Sequence, residues 1–305
     1  MIVNSKTRQF QKLKGAEKLI LGTVQLGLNY GINNISGKPS LEESFKILDT
    51  SFKAGISFLD TAEAYGNAVE LIGEYHKKTR HNFHVINKFG ALSEIRDLNK
   101  NVKDNLRKLN IHSFYAYLFH SPADLTNLKS NSPFVKQLQE LKQEGLIERL
   151  GISIYTNNDF KVAIENPLIE VIQLPFNILD NNNKRLDLLK LAKEKNKEIF
   201  SRSVFLQGLI YKDPTELTHK LKPLSKYLER LKNIASDLKI SLSQLALSYS
   251  LHNPFIDKVL IGVESEIQLL KNIQMANEDF QTDFDIIDRN INVQEEELLY
   301  PYNWN

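Results

Sequence analysis

Four side chains have the types and places that proton chemistry at a carbonyl requires. Apolar runs end on polar residues in FLDTAEAYG (58–66), VINKFG (85–90) and YLFHSP (117–122). Each run reads as a strand, so Asp60, Lys88 and His120 stand at strand ends and Tyr65 in the loop after one of them. A tyrosine with its ordinary pKa near ~10 is a poor acid at neutral pH. A lysine ammonium beside it stabilises the phenolate, lowers that pKa and eases proton donation. An aspartate beside the lysine keeps it charged and in place. A histidine donates a hydrogen bond to a carbonyl oxygen and polarises the carbon. These are the parts needed to protonate an alkoxide as hydride reaches a carbonyl carbon. Taken singly, Asp60 reads as a cap, Lys88 as a surface lysine, His120 as a satisfied core histidine and Tyr65 as loop packing. Their shared register favours the catalytic reading.

The elements that must position them alternate along the chain. Strands are predicted at Leu19–Gly22, Ser57–Asp60, His84–Lys88, Phe114–His120, Arg149–Ser153, Glu170–Leu174, Glu198–Ser203 and Lys258–Ile261, with a short hairpin over Phe10–Lys18 before the first. Between them lie helical stripes with start and stop signals. Ser40 and Glu43 form a capping-box pattern ahead of Leu41, Phe45, Leu48 and Phe52, and Gly55 suits the C′ position. Asn67 and Glu70 repeat that pattern, Ile95 to Leu109 carries another stripe, and Val135, Leu138 and Leu141 begin a helix ending near Gly145. Leu186–Lys195 gives another, and Pro214–Leu238 holds one or two. Ser241/Gln244 and Ser265/Gln268 open the last two, and residues 276–305 read as an irregular tail. Eight strand–helix units without a linker predict an α/β fold, a single-domain (β/α)8 TIM barrel over residues 1–305, with the tail near its mouth. A doubly wound sheet competes, but Gly22, Gly27 and Gly31 do not form its GxGxxG fingerprint.

Composition removes other chemistries. The chain of 305 residues has no cysteine, hence no disulfide framework, thiolate metal site or cysteine nucleophile. Its 39 Lys plus Arg against 37 Asp plus Glu leave a formal charge of +2, no bulk attraction for nucleic acid. His81 and His84 in HNFH lack a third ligand nearby, no GxxxxGK[ST] is present, and LKLAKEKNKE (189–198) reads as a solvated helix face. The polar start, Met1 to Lys14, and the lack of a long apolar run predict a cytoplasmic protein without a membrane partner.

The chain resembles the aldo-keto reductase superfamily over nearly its whole length. FLDTAEAYG, Lys88 and His120 look like that family's catalytic tetrad. LGTVQLG (21–27) resembles its first strand, LKQEGLIERLGIS (141–153) the segment leading to a nicotinamide-contacting serine, and QLPFN (173–177) the segment supplying a glutamine to the carboxamide. LIGVESEIQLLKN (260–272) resembles the adenosine-phosphate motif, and PYNW (301–304) the family's end. The resemblance implies a barrel that binds NADPH, with NADH as the second option, and reduces a small-molecule aldehyde or ketone. It implies Tyr65 as general acid tuned by Lys88 and Asp60, and His120 orienting the carbonyl. Cofactor contacts are implied at Ser153, Gln173, Arg202, Ser203, Phe205, Gln207, Gly262, Gln268 and Asn272.

Several positions depart from the family pattern. Ile154 stands where Asn often follows the serine, and Tyr115 where an Asp is often found before the histidine. Arg202 occupies the place of the aromatic residue that stacks on the nicotinamide, where it either stacks in turn or pairs with a carboxylate. Gln268, with Glu264 and Glu266 nearby, replaces an Arg that would grip the 2′-phosphate. SVFLQGL resembles a branch linked to sugar and surface-glycan metabolism, which favours a sugar-derived substrate. Tyr30, Phe89, Phe176, Tyr302 and Trp304 are expected to line an apolar pocket. The alternatives are a non-catalytic NAD(P)H-binding regulatory subunit on the same barrel and a barrel isomerase or epimerase without nicotinamide; the sequence leaves the oligomeric state open.

Overall fold

The structure, a computed structural model, describes residues 15–304 apart from 91, 127–131, 279 and 281. Eight strands form its centre: β1 (Leu19–Gly22), β2 (Phe58–Asp60), β3 (His84–Lys88), β4 (Phe114–Phe119), β5 (Ile147–Ser153), β6 (Val171–Pro175), β7 (Glu198–Arg202) and β8 (Lys258–Gly262). All pair in parallel in chain order, and β8 returns to β1 through Leu19–Val259 to Gly22–Gly262. The result is the expected single-domain (β/α)8 barrel. Strand bounds shift by one or two residues from those read in the sequence, most usefully at β4, which ends at Phe119 and leaves His120 just past the sheet.

Two apolar layers follow from the strand period of two. Ile20, Phe58, Ile86, Ala116, Leu118, Val171 and Phe200 cluster inside the barrel, with Leu260 against them. The residues between them pack outward against the helices in a much larger cluster. One step of two towards the strands' C-terminal ends leads from this inner layer to Gly22, Asp60, Lys88, Gln173, Arg202 and Gly262, to His120 just past β4, and from Gly151 of β5 to Ser153. The strand alternation that fills the barrel therefore also delivers one residue per strand to its rim.

Helix starts follow local chemistry. Ser40, Ser132, Ser241 and Ser265 accept backbone N–H bonds at their helix N-termini, and Thr156 with Asp159 closes a full capping box. Three expectations are corrected. The Ser40–Glu43 box is half made, because the Glu43 carboxylate accepts from Glu266 N–H of the last barrel helix instead. The Asn67 side chain makes no cap; its oxygen accepts a bond from Lys38. Ile95 lies outside its helix, which starts at Leu98 behind the cap Asp97.

Part of the hairpin expected at Phe10–Lys18 lies outside the described residues; Ala16–Lys18 is a 3-10 turn. The tail is more ordered than read, with a helix at Asp285–Asn290 and 3-10 turns at Glu296–Leu299 and Pro301–Asn303. Ile287, Ile291, Val293 and Leu299 are buried and pin it, as does the bond from Asn181 to Ile291 O. Among the described residues, no helix is long and apolar enough to cross a membrane.

Candidate active site

The loop after β2 is held tightly from both sides. Thr61 N–H donates to Ile86 O at 2.8 Å and Glu63 N–H to Lys88 O at 3.2 Å, so the turn is stitched to β3. The Glu63 carboxylate accepts from Tyr117 OH and, at 3.3 Å, from Asn101. On the other side the short helix Val24–Gly27 presses on the turn. A Cβ on Gly27 would lie 1.8 Å from Tyr65 O, and Gly66 takes φ +56° over Gly27 O. Glycine in LGTVQLG thus permits the close approach that seats Tyr65. Nothing in the sequence marks Glu63 and Tyr117, because their link joins residues 54 apart and no local spacing announces it.

Asp60 and Lys88 meet in the barrel mouth. Lys88 Nζ donates to Asp60 Oδ1 at 2.5 Å and to Thr61 O at 3.3 Å, with both side chains almost fully buried. Gln173 Nε2 donates to Asp60 Oδ2 at 2.6 Å. Both carboxylate oxygens are therefore engaged, and because a carboxylate only accepts, Gln173 must turn its carbonyl the other way. That Oε1 is buried and has no partner among the described residues. Lys88 Nζ stands 5.2 Å from the centre of the Tyr65 ring, and the Tyr65 and His120 rings meet edge to face at 6.1 Å.

The electrostatics correct one expectation. Lys88 was expected to lower the Tyr65 pKa; instead the phenol is held well above its ordinary value, first by burial and then by the Asp60 charge, with Arg202 opposing. The ammonium is bonded to Asp60 and faces the ring, so its charge is largely spent before it reaches the hydroxyl. Burial also lowers Lys88 against the pull of Asp60. His120 drops from its ordinary 6.5 to about 4, chiefly through burial and then through Lys88, so near neutrality it is an uncharged imidazole.

This shift makes a stability prediction. Between pH 4 and 6.5 the unfolded chain binds a proton at His120 that the folded chain refuses, so its contribution is complete above 6.5 and is lost as pH falls towards 4. Going from about pH 7 to about pH 5 should therefore lower the melting temperature of the wild type more than that of His120→Gln. Equal drops in the two proteins would show that His120 is not held neutral.

All nine residues named for the cofactor and all four of the tetrad line one cavity of about 1200 Å³ at the C-terminal rim. Common small-ligand sites run to roughly 300–1,000 Å³, so it has room for a dinucleotide beside a substrate. Ser153 pairs in register with Gln173 across β5 and β6. Gln268 and Glu264 bind each other, Glu264 N–H to Gln268 Oε1 at 2.8 Å and Gln268 Nε2 to Glu264 Oε2 at 3.3 Å. Lys271 also faces the cavity. Glu266 does not: its carboxylate accepts from Thr50 at 2.5 Å. Buried Gln25 Oε1, Gln173 Oε1 and Arg202 Nε, all on cavity-lining residues, lack partners among the described residues, the condition of polar atoms awaiting a ligand.

Other expectations change. Arg202 pairs with no carboxylate among the described residues; its guanidinium lies 4.1 Å over the Tyr155 ring and donates to Ile154 O at 2.9 Å. Tyr115 is far from the rim, bonded to Glu198 at 2.8 Å near the start of β7. Tyr30 and Tyr302 line the cavity, but Phe89, Phe176 and Trp304 do not. Phe89 packs on Tyr117, Phe176 stacks on Tyr249, and the Trp304 indole donates to Leu298 O, because all three face the barrel–helix layer. His81 bonds Tyr75 and stacks on Phe52, and no cluster of metal-ligating side chains occurs among the described residues.

A closed parallel barrel with its polar groups gathered in a large cavity at the strands' C-terminal ends places the protein among the (β/α)8-barrel enzymes. Residues 18–290 match the Aldo/keto reductase family, and the chain belongs to this family of oxidoreductases. It is 26% identical over 282 residues to the uncharacterized oxidoreductase YqkF of Bacillus subtilis (strain 168), covering 84% of this chain and 90% of that one. Its fold matches the holo form of the aldo-keto reductase AKR11C1 from Bacillus halodurans at a TM-score of 0.70, with 23% identity over 92% of this chain and 94% of the other. An aldo-keto reductase from Klebsiella pneumoniae in complex with NADPH matches at 0.66, with 17% identity over 92% and 93% of the two chains.

Proposed function

We propose that the protein reduces an aldehyde or ketone, a sugar-derived carbonyl being the favoured kind, to an alcohol with a nicotinamide dinucleotide. The observation that carries this reading is the buried chain Gln173–Asp60–Lys88 beneath Tyr65 and His120. Its open Gln173 Oε1 suits the amide N–H of a nicotinamide carboxamide, and Ser153 stands beside it in register. Arg202 would border the nicotinamide end, Ser203, Phe205 and Gln207 the middle of the cofactor, and Gly262, Gln268 and Asn272 its adenosine end. When bound, the reduced nicotinamide supplies the hydride.

The chain's own groups handle the oxygen and the proton. Neutral His120 donates a hydrogen bond to the carbonyl oxygen, polarising the carbon without competing as an acid. As that oxygen gains negative charge, the Tyr65 hydroxyl passes its proton to it. A raised phenol pKa suits this order of events, since Tyr65 keeps its proton until a base as strong as an alkoxide appears. The buried Lys88–Asp60 pair then lies beneath the new phenolate, with the ammonium closest to the ring.

The test is a fluorescence titration with NADPH and NADH, followed by nucleotide oxidation with aldehydes, aldoses and keto-sugars. Binding followed by turnover is expected. Tight binding without turnover on any carbonyl would indicate a regulatory subunit, and no binding would point to an isomerase or epimerase.

NADPH is the first expectation for the coenzyme and NADH the second. The uncharged Gln268, tied to Glu264, offers no charge-assisted grip on a 2′-phosphate. Gln268→Arg should shift the NADPH-to-NADH ratio of kcat/KM towards NADPH by roughly tenfold. An unchanged ratio would show that residue 268 does not meet that phosphate.

A further inference from the structure

Two cations stand close to Tyr65 and His120 in the cavity, and Lys88 is paired with Asp60. Arg202, the last inward residue of β7, has no carboxylate partner among the described residues. Its guanidinium makes one good bond, to Ile154 O at 2.9 Å, and a long one to Ser203 Oγ at 3.4 Å. Its Nε is buried without a partner among the described residues. The rest of the guanidinium borders the cavity, where an anion would find a charged donor with no acidic partner among the described residues.

The side chain is also rigidly placed. Its face rests on Tyr155, which meets Tyr302 edge to face at 4.8 Å. Tyr155 is fixed in turn through its carbonyl, which accepts from Arg185 Nη2 at 2.7 Å, while the same arginine grips Asp180 through two bonds of 2.7 Å. Stacking on an aromatic face while presenting a planar edge is how arginine receives an oxyanion with two acceptors. Arg202 bonds the carbonyl of Ile154, next to Ser153, and pairs in register with Pro175, two residues after Gln173, which places it at the same end of the cavity as Tyr65 and His120. The other charged residues of the cavity, Lys239, Glu264, Lys271 and Glu278, belong to the segments flanking β8.

We propose that Arg202 binds an anionic group, a carboxylate or phosphate ester, carried by the carbonyl substrate itself, so that the preferred substrates are oxo acids, aldehyde acids or sugar acids and phosphates. This rests on the reductase reading above. The same edge would also suit the diphosphate of the coenzyme, and the experiment separates the two sources.

Holoenzyme is assayed with two matched pairs, succinic semialdehyde against butanal and glyceraldehyde 3-phosphate against glyceraldehyde. The readout is the ratio of kcat/KM within a pair, so that a general loss of activity cancels. The wild type should prefer at least one anionic member by roughly 10- to 100-fold, Arg202→Met should bring that ratio near one, and Arg202→Lys should restore part of it. Succinate, which has no carbonyl to reduce, should raise the melting temperature of the wild-type holoenzyme and not that of Arg202→Met. Absence of turnover with all four carbonyls would overturn the reductase reading. Turnover with equal rates for charged and neutral members would overturn this proposal alone. So would a coenzyme Kd that weakens tenfold or more in Arg202→Met while the ratios stay put, since the anion would then be the coenzyme's.

Discussion

Tyr65→Phe should bind nicotinamide nucleotide as tightly as the wild type and turn over carbonyl substrates roughly 10²–10⁴ times more slowly. The substitution removes one hydroxyl and keeps the ring that meets His120 at 6.1 Å and whose centre is 5.2 Å from Lys88 Nζ. Loop geometry is preserved as well, because the turn is held by backbone and by Glu63, not by the phenol. The loss should fall on kcat, since the proton moves only as the oxygen becomes an alkoxide. A raised phenol pKa adds a pH signature: activity in the direction of reduction should show no fall from loss of the Tyr65 proton up to about pH 9. Equal turnover in the two proteins would remove Tyr65 from the proton path and return the choice of acid to His120.

The second large effect concerns the pair beneath it. Lys88→Met leaves the Asp60 carboxylate buried with only Gln173 donating to its side chain. Breaking a buried pair in this way should lower the unfolding free energy by roughly 3–5 kcal/mol in urea titrations. Adding Asp60→Asn removes the stranded charge and should recover most of that stability, because an uncharged buried pair is often as stable as the ionic one. Reductase activity should stay lost in both variants. This separates a purely structural pair from one that also serves the chemistry: recovery of stability and activity together in the double variant would assign Lys88 and Asp60 to the fold alone.

Much of this arrangement is legible in the chain because it follows from short-range rules. Alternation along FLD and VINK places Asp60 and Lys88 on the inner face of their strands, and Ser241 and Ser265 cap helices as their spacing implies. Short-range rules also misled where a longer contact competed. Lys38 takes the Asn67 side chain away from its helix, Glu266 draws Glu43 out of its box, and Phe89 and Phe176 turn away from the cavity that their neighbours line. The sign of the Tyr65 shift failed for a similar reason. Proximity to a lysine was foreseeable, but not that Asp60 would already hold its charge.

The strand–helix alternation, the residue offered at each strand end and the absence of any thiol chemistry are written in the chain, since these depend on backbone period and side-chain type. How those residues meet depends on the closed barrel. Closing eight strands in parallel register brings Gln173 to Asp60 across 113 residues of chain, a distance over which no local preference acts. It also decided that Arg202 would lie on Tyr155 with its charge unanswered, because that depends on where one loop after β5 and one strand end of β7 come to rest against each other.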